Sequence, residues 1–576
     1  MKTIFFLILV FTLTCCVTIK SEAADIPDDI TFRAMNDELE RSMKDLVIEG
    51  MPSPYFISYT IRESQSLDIR SRYGALVRSS HHNDKTLSIE LRVGNSELDN
   101  TNFVSDWRSV WNMRDDLVDE DDYDALRHQI WLHTDKAYKK ALETYAGKQS
   151  YLQANPPDDI LPDFSSVEPF TYIEERNSVK STQSDMEALV LTASESFHDF
   201  SNLLDWQIDY SSIASTQWYL NSEDSFNRVA NSTGIIEIAA TIQTEDGERL
   251  NGYRRYIIPE GDSNPTAEKL SKDVETLARS LENSANSSSI DEYEGPVLFM
   301  KEAAAQLISN LFVEQMSLPR KTLVAQDWFS DYFPTGKIAK RVKRRVFPDF
   351  VNIKDEPRRE KWGDSFLAGH RIVDSEGVPT EKLVLVENGW LQTIPMNRQP
   401  TKKIKESNGH AHSLPIQRNV SGITNMTVST SKPLNHKKML SRLLKLSKEY
   451  GNDFGLVVMQ LENPEIAEHY RTIDANSESD ELLPKPTIAF KIFVEDGRME
   501  PVRGLEFDEV TIRNLKDIVA MGKDSEAYNY LQPTIFTNFK YRASIITPSI
   551  LVEEMELKRG ALREPKPLTL SPFAEK

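Results

Sequence analysis

The chain of 576 residues contains two cysteines, which stand side by side at Cys15 and Cys16. Downstream of them there is no thiol, which excludes a disulfide framework, a thiolate zinc site and a cysteine nucleophile there. Glycine is sparse, at 22 residues. No Gly-x-Ser-x-Gly elbow, Gly-x-x-x-x-Gly-Lys phosphate cradle or Gly-x-Gly-x-x-Gly fingerprint occurs among them. Past the N-terminal segment no apolar stretch reaches the length of a membrane-spanning helix. Lysine plus arginine number 68 against 89 aspartate plus glutamate, a formal charge of −21. That balance argues against a general nucleic-acid binder, which needs cations to neutralise phosphates. It also disfavours adsorption to anionic lipid. The remainder, 39% hydrophobic and 9% aromatic, is the composition of a folded body of two or more domains or two lobes.

Residues 1–24 read as a signal peptide. Lys2 supplies a positive start, Ile4 to Ile19 the apolar region, and Ser21-Glu22-Ala23-Ala24 a small-residue cleavage site. Secretion or a periplasmic location follows as the expectation. Leu13-Thr14-Cys15-Cys16 loosely resembles a lipidation box, but Gly, Ala or Ser normally precedes the lipidated cysteine, so anchoring at Cys16 ranks below simple secretion. Asn231, Asn286, Asn419 and Asn425 open Asn-x-Ser/Thr triplets, which matter only where the host glycosylates secreted proteins.

Periodicity predicts an α+β fold with antiparallel sheets, flanking helices and two lobes. An N-terminal α+β region spans 25–285 and a β-rich region spans 290–576. Met35, Leu39, Met43 and Leu46 recur at helical spacing. Alternation predicts strands at 54–61, 69–79 and 86–93, with His81-His82-Asn83-Asp84 as a turn. Leu126, Ile130, Ala137, Ala141 and Tyr145 predict one long helix over about 121–153, ended by Pro156-Pro157. Further helices are expected near 186–200 and 269–281. Strands are expected at 212–221, 228–233 and 235–244, the last two around a hairpin turn at Asn231 to Gly234. Glu282 to Ser289 is the linker candidate. In the second half a strand at 295–299 leads into a helix at 302–316. Asn388-Gly389 and Asp496-Gly497 mark hairpins, and helices are expected at 437–449 and 511–521.

Residues suited to chemistry are few. His128 and His133 lie five apart on the long helix, which turns them off a common face. His410-Ala411-His412 places two imidazoles on one face of a strand, the best metal candidate in the chain, although no carboxylate cluster lies nearby in sequence. His81 and His82 point to opposite faces. Lys337 to Arg345 is a basic run, interleaved with Ile338 and Val342, and reads as a solvated edge strand.

A wider pattern then emerges. Gly295-Pro296-Val297 with Ala303-Ala304, Arg345-Val346-Phe347-Pro348, Asp355-Glu356-Pro357, and Asp374-Ser375-Glu376-Gly377-Val378-Pro379 occur in order. Asn388-Gly389, Arg398, Ser407-Asn408-Gly409 and Val494 to Gly504 continue it. In this order they resemble the TldD/PmbA family of modulator-of-gyrase-type proteins. In the first half Pro54 to Tyr59, Arg92-Val93-Gly94 and Leu98 to Thr101 are similar to a secreted branch of the same group.

The resemblance implies a helix bearing His-Glu-x-x-x-His, completed by a later cysteine, with the glutamate as general base on a zinc-bound water. The corresponding positions here are Ser309, Asn310 and Glu314. A hydroxyl and an amide replace imidazole and base, and an amide cannot take up a proton at neutral pH. With those groups replaced, the resemblance implies neither metal nor cofactor and a PmbA-like subunit of the metalloprotease family without its metal motif. The partners that the resemblance implies are a TldD-like homologue or a second copy of the chain, enclosing a chamber that takes unfolded peptide; no nucleic acid and no stable membrane span are expected. Two alternatives stand beside it: a peptidase with an atypical site using His410, His412 or Glu314, and a stand-alone envelope peptide-binding protein.

Overall fold

The computed structural model describes residues 29–105, 114–157, 161–259, 264–326, 328, 330, 333, 335–414, 418–463, 483–534 and 540–560. Cys15, Cys16 and the signal segment lie outside these residues. The class is α+β.

The first half is built on strands β1 (Pro54–Arg72), β2 (Ala75–Val93), β3 (Leu203–Asn221), β4 (Phe226–Gln243) and β5 (Arg249–Ile258), antiparallel in the order β2-β1-β3-β4-β5. Strict alternation gives the sheet two unlike faces. Ile57, Tyr59 and Ile61 lie buried in one core with residues of the helices α1 (Ile30–Asp45) and α2 (Tyr123–Ala154). Further along the same face, Leu67, Ile69, Ile208 and Ile238 pack with α3 (Gln183–Glu195) and α4 (Ala267–Ala285). Leu270, Val274, Leu277 and Leu281 of α4 form one buried stripe. Burial of each stabilises by roughly 1.5–3 kcal/mol. Side chains cap each helix start, as when Asp29 Oδ1 accepts from Thr31 N and Asp122 Oδ1 from Ala125 N. The opposite face, carrying Ser58, Thr60, Arg62 and Ser64 of β1 beside Ser215 and Gln217 of β3, is polar and meets the second half.

There Glu292–Phe299 is the centre of one sheet, parallel to Phe454–Leu461 and antiparallel to Ile550–Arg559. A second sheet runs Leu383–Glu387, Val351–Asp355, Asn425–Thr430, Lys540–Thr547, Glu526–Pro533. Helix α5 (Glu302–Ile308) is sandwiched between them, its Ala303, Leu307 and Ile308 sharing one core with Val297 and Val458 of the first sheet and Ile353 and Ile545 of the second. Helix α6 (His436–Glu449) covers the far side of the first sheet through Met439, Leu443 and Leu446.

The hairpin at Asn388-Gly389, with φ of 48° and 80°, forms as the sequence predicts. Other expectations change. His81 to Asp84 is not a turn: these residues pair with Leu67 to Ser64 inside β2, and the chain reverses at Tyr73-Gly74, with φ of 54° and 75°. Asn231 to Gly234 likewise lies within β4, opposite Ser215 to Ser212. The expected helix at 511–521 is a short turn, Asn514–Lys516, followed by the strand Ile518–Met521. The linker candidate is ordered: α4 continues to Ala285, and Ser288–Ser289 pairs with Val502 and Arg503. The basic run is not an edge strand but a tight turn at Ala339–Arg341, with Ile338 and Val342 buried beneath it.

Candidate functional site

The motif positions sit where α5 changes its winding. After Ile308 the backbone widens into a π turn, Ser309–Val313, and then tightens over Glu314–Met316. Glu314 N donates to the carbonyl of Ser309, five residues back. The wider turn draws residues five apart toward a common face, whereas an α-helix would rotate them apart. His128 and His133, in regular helix, show the contrast.

Each motif side chain has its own surroundings. The Ser309 hydroxyl is buried and donates to Gln532 Oε1 at 2.9 Å. The same oxygen accepts from Tyr530 OH at 2.6 Å, and Gln532 Nε2 donates to the Pro533 carbonyl at 2.9 Å. Asn310 Nδ2 donates back along the helix to Gln306 O at 2.8 Å. Glu314 is half-buried, within electrostatic reach of the Tyr541 hydroxyl. A hydroxyl, an amide and one carboxylate, two of them committed as donors to neighbouring oxygens, do not fit a zinc ion, which prefers imidazole and thiolate donors.

Tyr541 stacks on His412 with ring centres 3.8 Å apart. Burial, reinforced by Arg371 and His410, holds His412 well below the ordinary imidazole range, so it is neutral at physiological pH. Its Nε2 lies 3.3 Å from the Gly422 carbonyl. His410 is fully buried. Its Nδ1 lies 2.7 Å from the Asn408 carbonyl and its Nε2 3.2 Å from Asp355 Oδ2. Asp355 in turn accepts from Thr424 N at 2.8 Å and Thr424 Oγ1 at 3.0 Å. The two histidines are thus held by different partners. Among the described residues no three His, Cys, Asp or Glu side chains converge as a metal set.

The structure adds residues that no sequence signal singled out. Glu302, in the first turn of α5, accepts from Tyr253 OH and Tyr528 OH, each at 2.7 Å, and from Gln460 Nε2 at 2.8 Å. Tyr253 belongs to β5, so this carboxylate ties the first half to the motif helix. Burial and the Glu302 charge push both phenols well above the ordinary tyrosine range.

The Asp374 to Val378 turn is also explained. Asp374 Oδ1 accepts from Glu376 N at 2.8 Å and Val378 N at 3.0 Å, and Oδ2 from Ala411 N at 2.9 Å. Glu376 accepts from Arg398 N at 2.6 Å and Asn419 Nδ2 at 3.0 Å. Burial first, then the charges of Asp374 and Glu90, push the Glu376 carboxyl up to about 8. Between this turn and the polar face of the first sheet lies a cavity of about 180 Å³, with Ser58, Thr60, Ser88, Glu90, Ser375 and Ser413 in its wall.

Comparison with known proteins adds the following. Residues 292–559 match the PmbA/TldA metallopeptidase C-terminal domain. A protein of Buchnera aphidicola subsp. Acyrthosiphon pisum named metalloprotease PmbA homolog is 23% identical over 259 residues, 42% of this chain and 48% of that protein. The chain thus spans about half the length of this relative. Over the whole fold, TldE from Thermococcus kodakarensis superposes with a TM-score of 0.57 at 16% identity, covering 91% of this chain and 99% of that one. A protein of Thermotoga maritima described as a modulator of DNA gyrase superposes with a TM-score of 0.57 at 16% identity, covering 91% and 100%. At such identities the superpositions establish the fold alone. Among the described residues no helix is long and apolar enough to cross a membrane.

Proposed function

Because the chain belongs to the TldD/PmbA family, which is metallopeptidase-related, we propose that it is a non-catalytic, secreted subunit of a peptide-handling chamber. Its partner in this reading is a homologue that keeps His-Glu-x-x-x-His, or a second copy of the chain. The observation that carries the reading is the Ser309–Gln532–Tyr530 network. The first ligand position of the motif is occupied by a hydroxyl turned into a neutral amide-phenol cluster, and the base position by an amide bonded to its own helix. Neither group activates water.

An unfolded peptide is recognised in such a chamber through its main chain, as an added strand. Copurification from the native host, with elemental analysis of the isolated chain, tests the proposal. The expected result is a stable complex with a motif-bearing homologue or a self-assembly, less than one zinc per ten chains, and no peptidase activity by this chain alone. Stoichiometric zinc surviving dialysis, with peptide cleavage lost on substitution of His410, His412 or Glu314, would favour the atypical peptidase. A monomer that binds unfolded peptide unaided would favour a stand-alone envelope protein. Secretion is tested separately by N-terminal sequencing of the mature chain, which should begin at Ala24 or Asp25.

A further inference from the structure

Four arginines converge on the cleft between the two halves, and none has a carboxylate within 4 Å among the described residues. They come from distant parts of the chain: Arg62 from β1, Arg114 from the segment before α2, Arg371 from the turn before Asp374, and Arg542 from the Lys540–Thr547 strand. Their partners are neutral. Arg62 NH2 donates to Gln217 Oε1 at 2.8 Å. Arg114 NH2 donates to Ser413 Oγ at 3.1 Å and Leu414 O at 3.4 Å. Arg371 NH1 donates to Ala411 O at 2.9 Å. Arg542 donates to Thr233 Oγ1 and, at 2.8 Å, to Asn231 Oδ1.

Their guanidinium groups form one set of like charges centred on Arg62. Arg62 acts on Arg114, Arg371 and Arg542, and Arg371 also acts on Arg542. Arg62 Nε is buried and has no hydrogen-bond partner. The nearest carboxylates do not relieve them. Asp84 faces Arg62 and Arg114 without closing to ion-pair distance. Asp374 is taken up by three backbone N–H groups and Asp355 by Thr424 and His410.

Desolvated cations without counter-charge are costly, and a protein of net charge −21 has carboxylates to spare. All four side chains nevertheless keep partial exposure, so the cluster is deep but open to a ligand. Guanidinium groups match carboxylate geometry with paired N–H donors. The polar cavity continues from them: Thr60 precedes Arg62 on the same sheet face, and Ser413, which accepts from Arg114, is in the cavity wall. Glu90, in the same wall, places a carboxylate at the other end. That disfavours a polyphosphate or nucleic acid threaded through it.

We propose that this arginine cluster is an anion site that receives carboxylates of a bound peptide, from acidic side chains or the C-terminus. The anion site stands on the arginines; that the ligand is a peptide rests on the proposed function.

Fluorescence anisotropy with labelled hexaglutamate and hexaglutamine, each as free acid and C-terminal amide, tests it on the full chain. At least one carboxylate-bearing peptide should bind at least tenfold more tightly than the hexaglutamine amide at low salt, and Arg62→Gln and Arg542→Gln should each weaken that binding at least tenfold. A gain confined to the free acids assigns the site to the terminus; a gain kept by the hexaglutamate amide assigns it to side chains. Both support the proposal. Thermal shift controls for misfolding: succinate should raise the Tm of the parent chain but not of either variant, although a ligand-free variant melts no lower than the parent. Equal binding of all four peptides, the uncharged hexaglutamine amide included, overturns the arginine proposal and spares the peptide reading. Succinate stabilisation that the arginine variants lose, without any peptide binding, keeps the anion site and removes the peptide reading. Binding of inorganic phosphate but of no carboxylate, or of no anion, overturns the proposal.

Discussion

Tyr219 of the first half donates its hydroxyl to the carbonyl of Glu376 in the second, at 2.9 Å, with both residues buried. Gly377 follows in the left-handed region, at φ 78°, and a Cβ there would lie 2.5 Å from the Tyr219 ring. Gly377→Ala therefore incurs both backbone strain and a clash at the joint between the halves. We expect a loss of about 2–4 kcal/mol, measured by urea unfolding. Tyr219→Phe, which removes only the hydroxyl, should cost about 1–3 kcal/mol because it leaves a buried carbonyl short of its donor.

Glu376 gives a pH dependence. Its carboxyl is raised to about 8 in the folded chain, against an ordinary value near 4.5. Between those values the folded state holds a proton that the unfolded state has lost, so stability falls as pH rises through that window. Melting temperature should drop from pH 5 to pH 8, and Glu376→Gln, which keeps an acceptor for Arg398 N, should flatten this part of the profile. An unchanged slope in the variant would assign the dependence elsewhere.

Lys148 and Asp163, each 1% exposed, form an ion pair in the first half, and Arg320 of the second adds a bond to Asp163 at 2.9 Å. Lys148→Met leaves the buried Asp163 carboxylate with Arg320 as its remaining cation and removes one charge-assisted bond. It should destabilise by about 1.5–3 kcal/mol. Lys148→Met with Asp163→Asn should recover part of that loss, read as non-additivity in a double-mutant cycle.

Glu302 accepts three donors, and a glutamine there would set its NH2 against at least one of them. Glu302→Gln should cost about 1–3 kcal/mol. It should also shift the near-ultraviolet circular dichroism, since Tyr253 and Tyr528 both lose their anionic acceptor.

The sequence was most legible where one physical rule acted alone. The stripe from Leu126 to Tyr145 predicted α2, and Asn388-Gly389 predicted its hairpin, because apolar periodicity and positive φ are local properties. His81 to Asp84 and Asn231 to Gly234 misled for one reason. Turn-forming side chains can ride in a long strand when the ladder satisfies the backbone and the side chains face water or a polar cleft. Val519, Ala520 and Met521 suited helix or strand equally, and pairing with the Ile550–Arg559 strand decided between them. The motif positions Ser309, Asn310 and Glu314 were legible only through family resemblance. The arginine cluster was not legible: Arg62 and Arg542 lie 480 residues apart, and no spacing rule links strands brought together by the meeting of two sheets. Glu302 was hidden likewise, being an ordinary first-turn acid until Tyr253 and Tyr528 reach it.

The π turn at Ser309–Val313 separates what the helix carries from how it is wound. Side chains are replaced one codon at a time, whereas a helix register requires its whole surroundings to agree. Here the wide turn draws positions five apart toward one face and is packed by Leu311 and Phe312. The donor atoms at those positions can therefore be exchanged by point replacement without refolding the core.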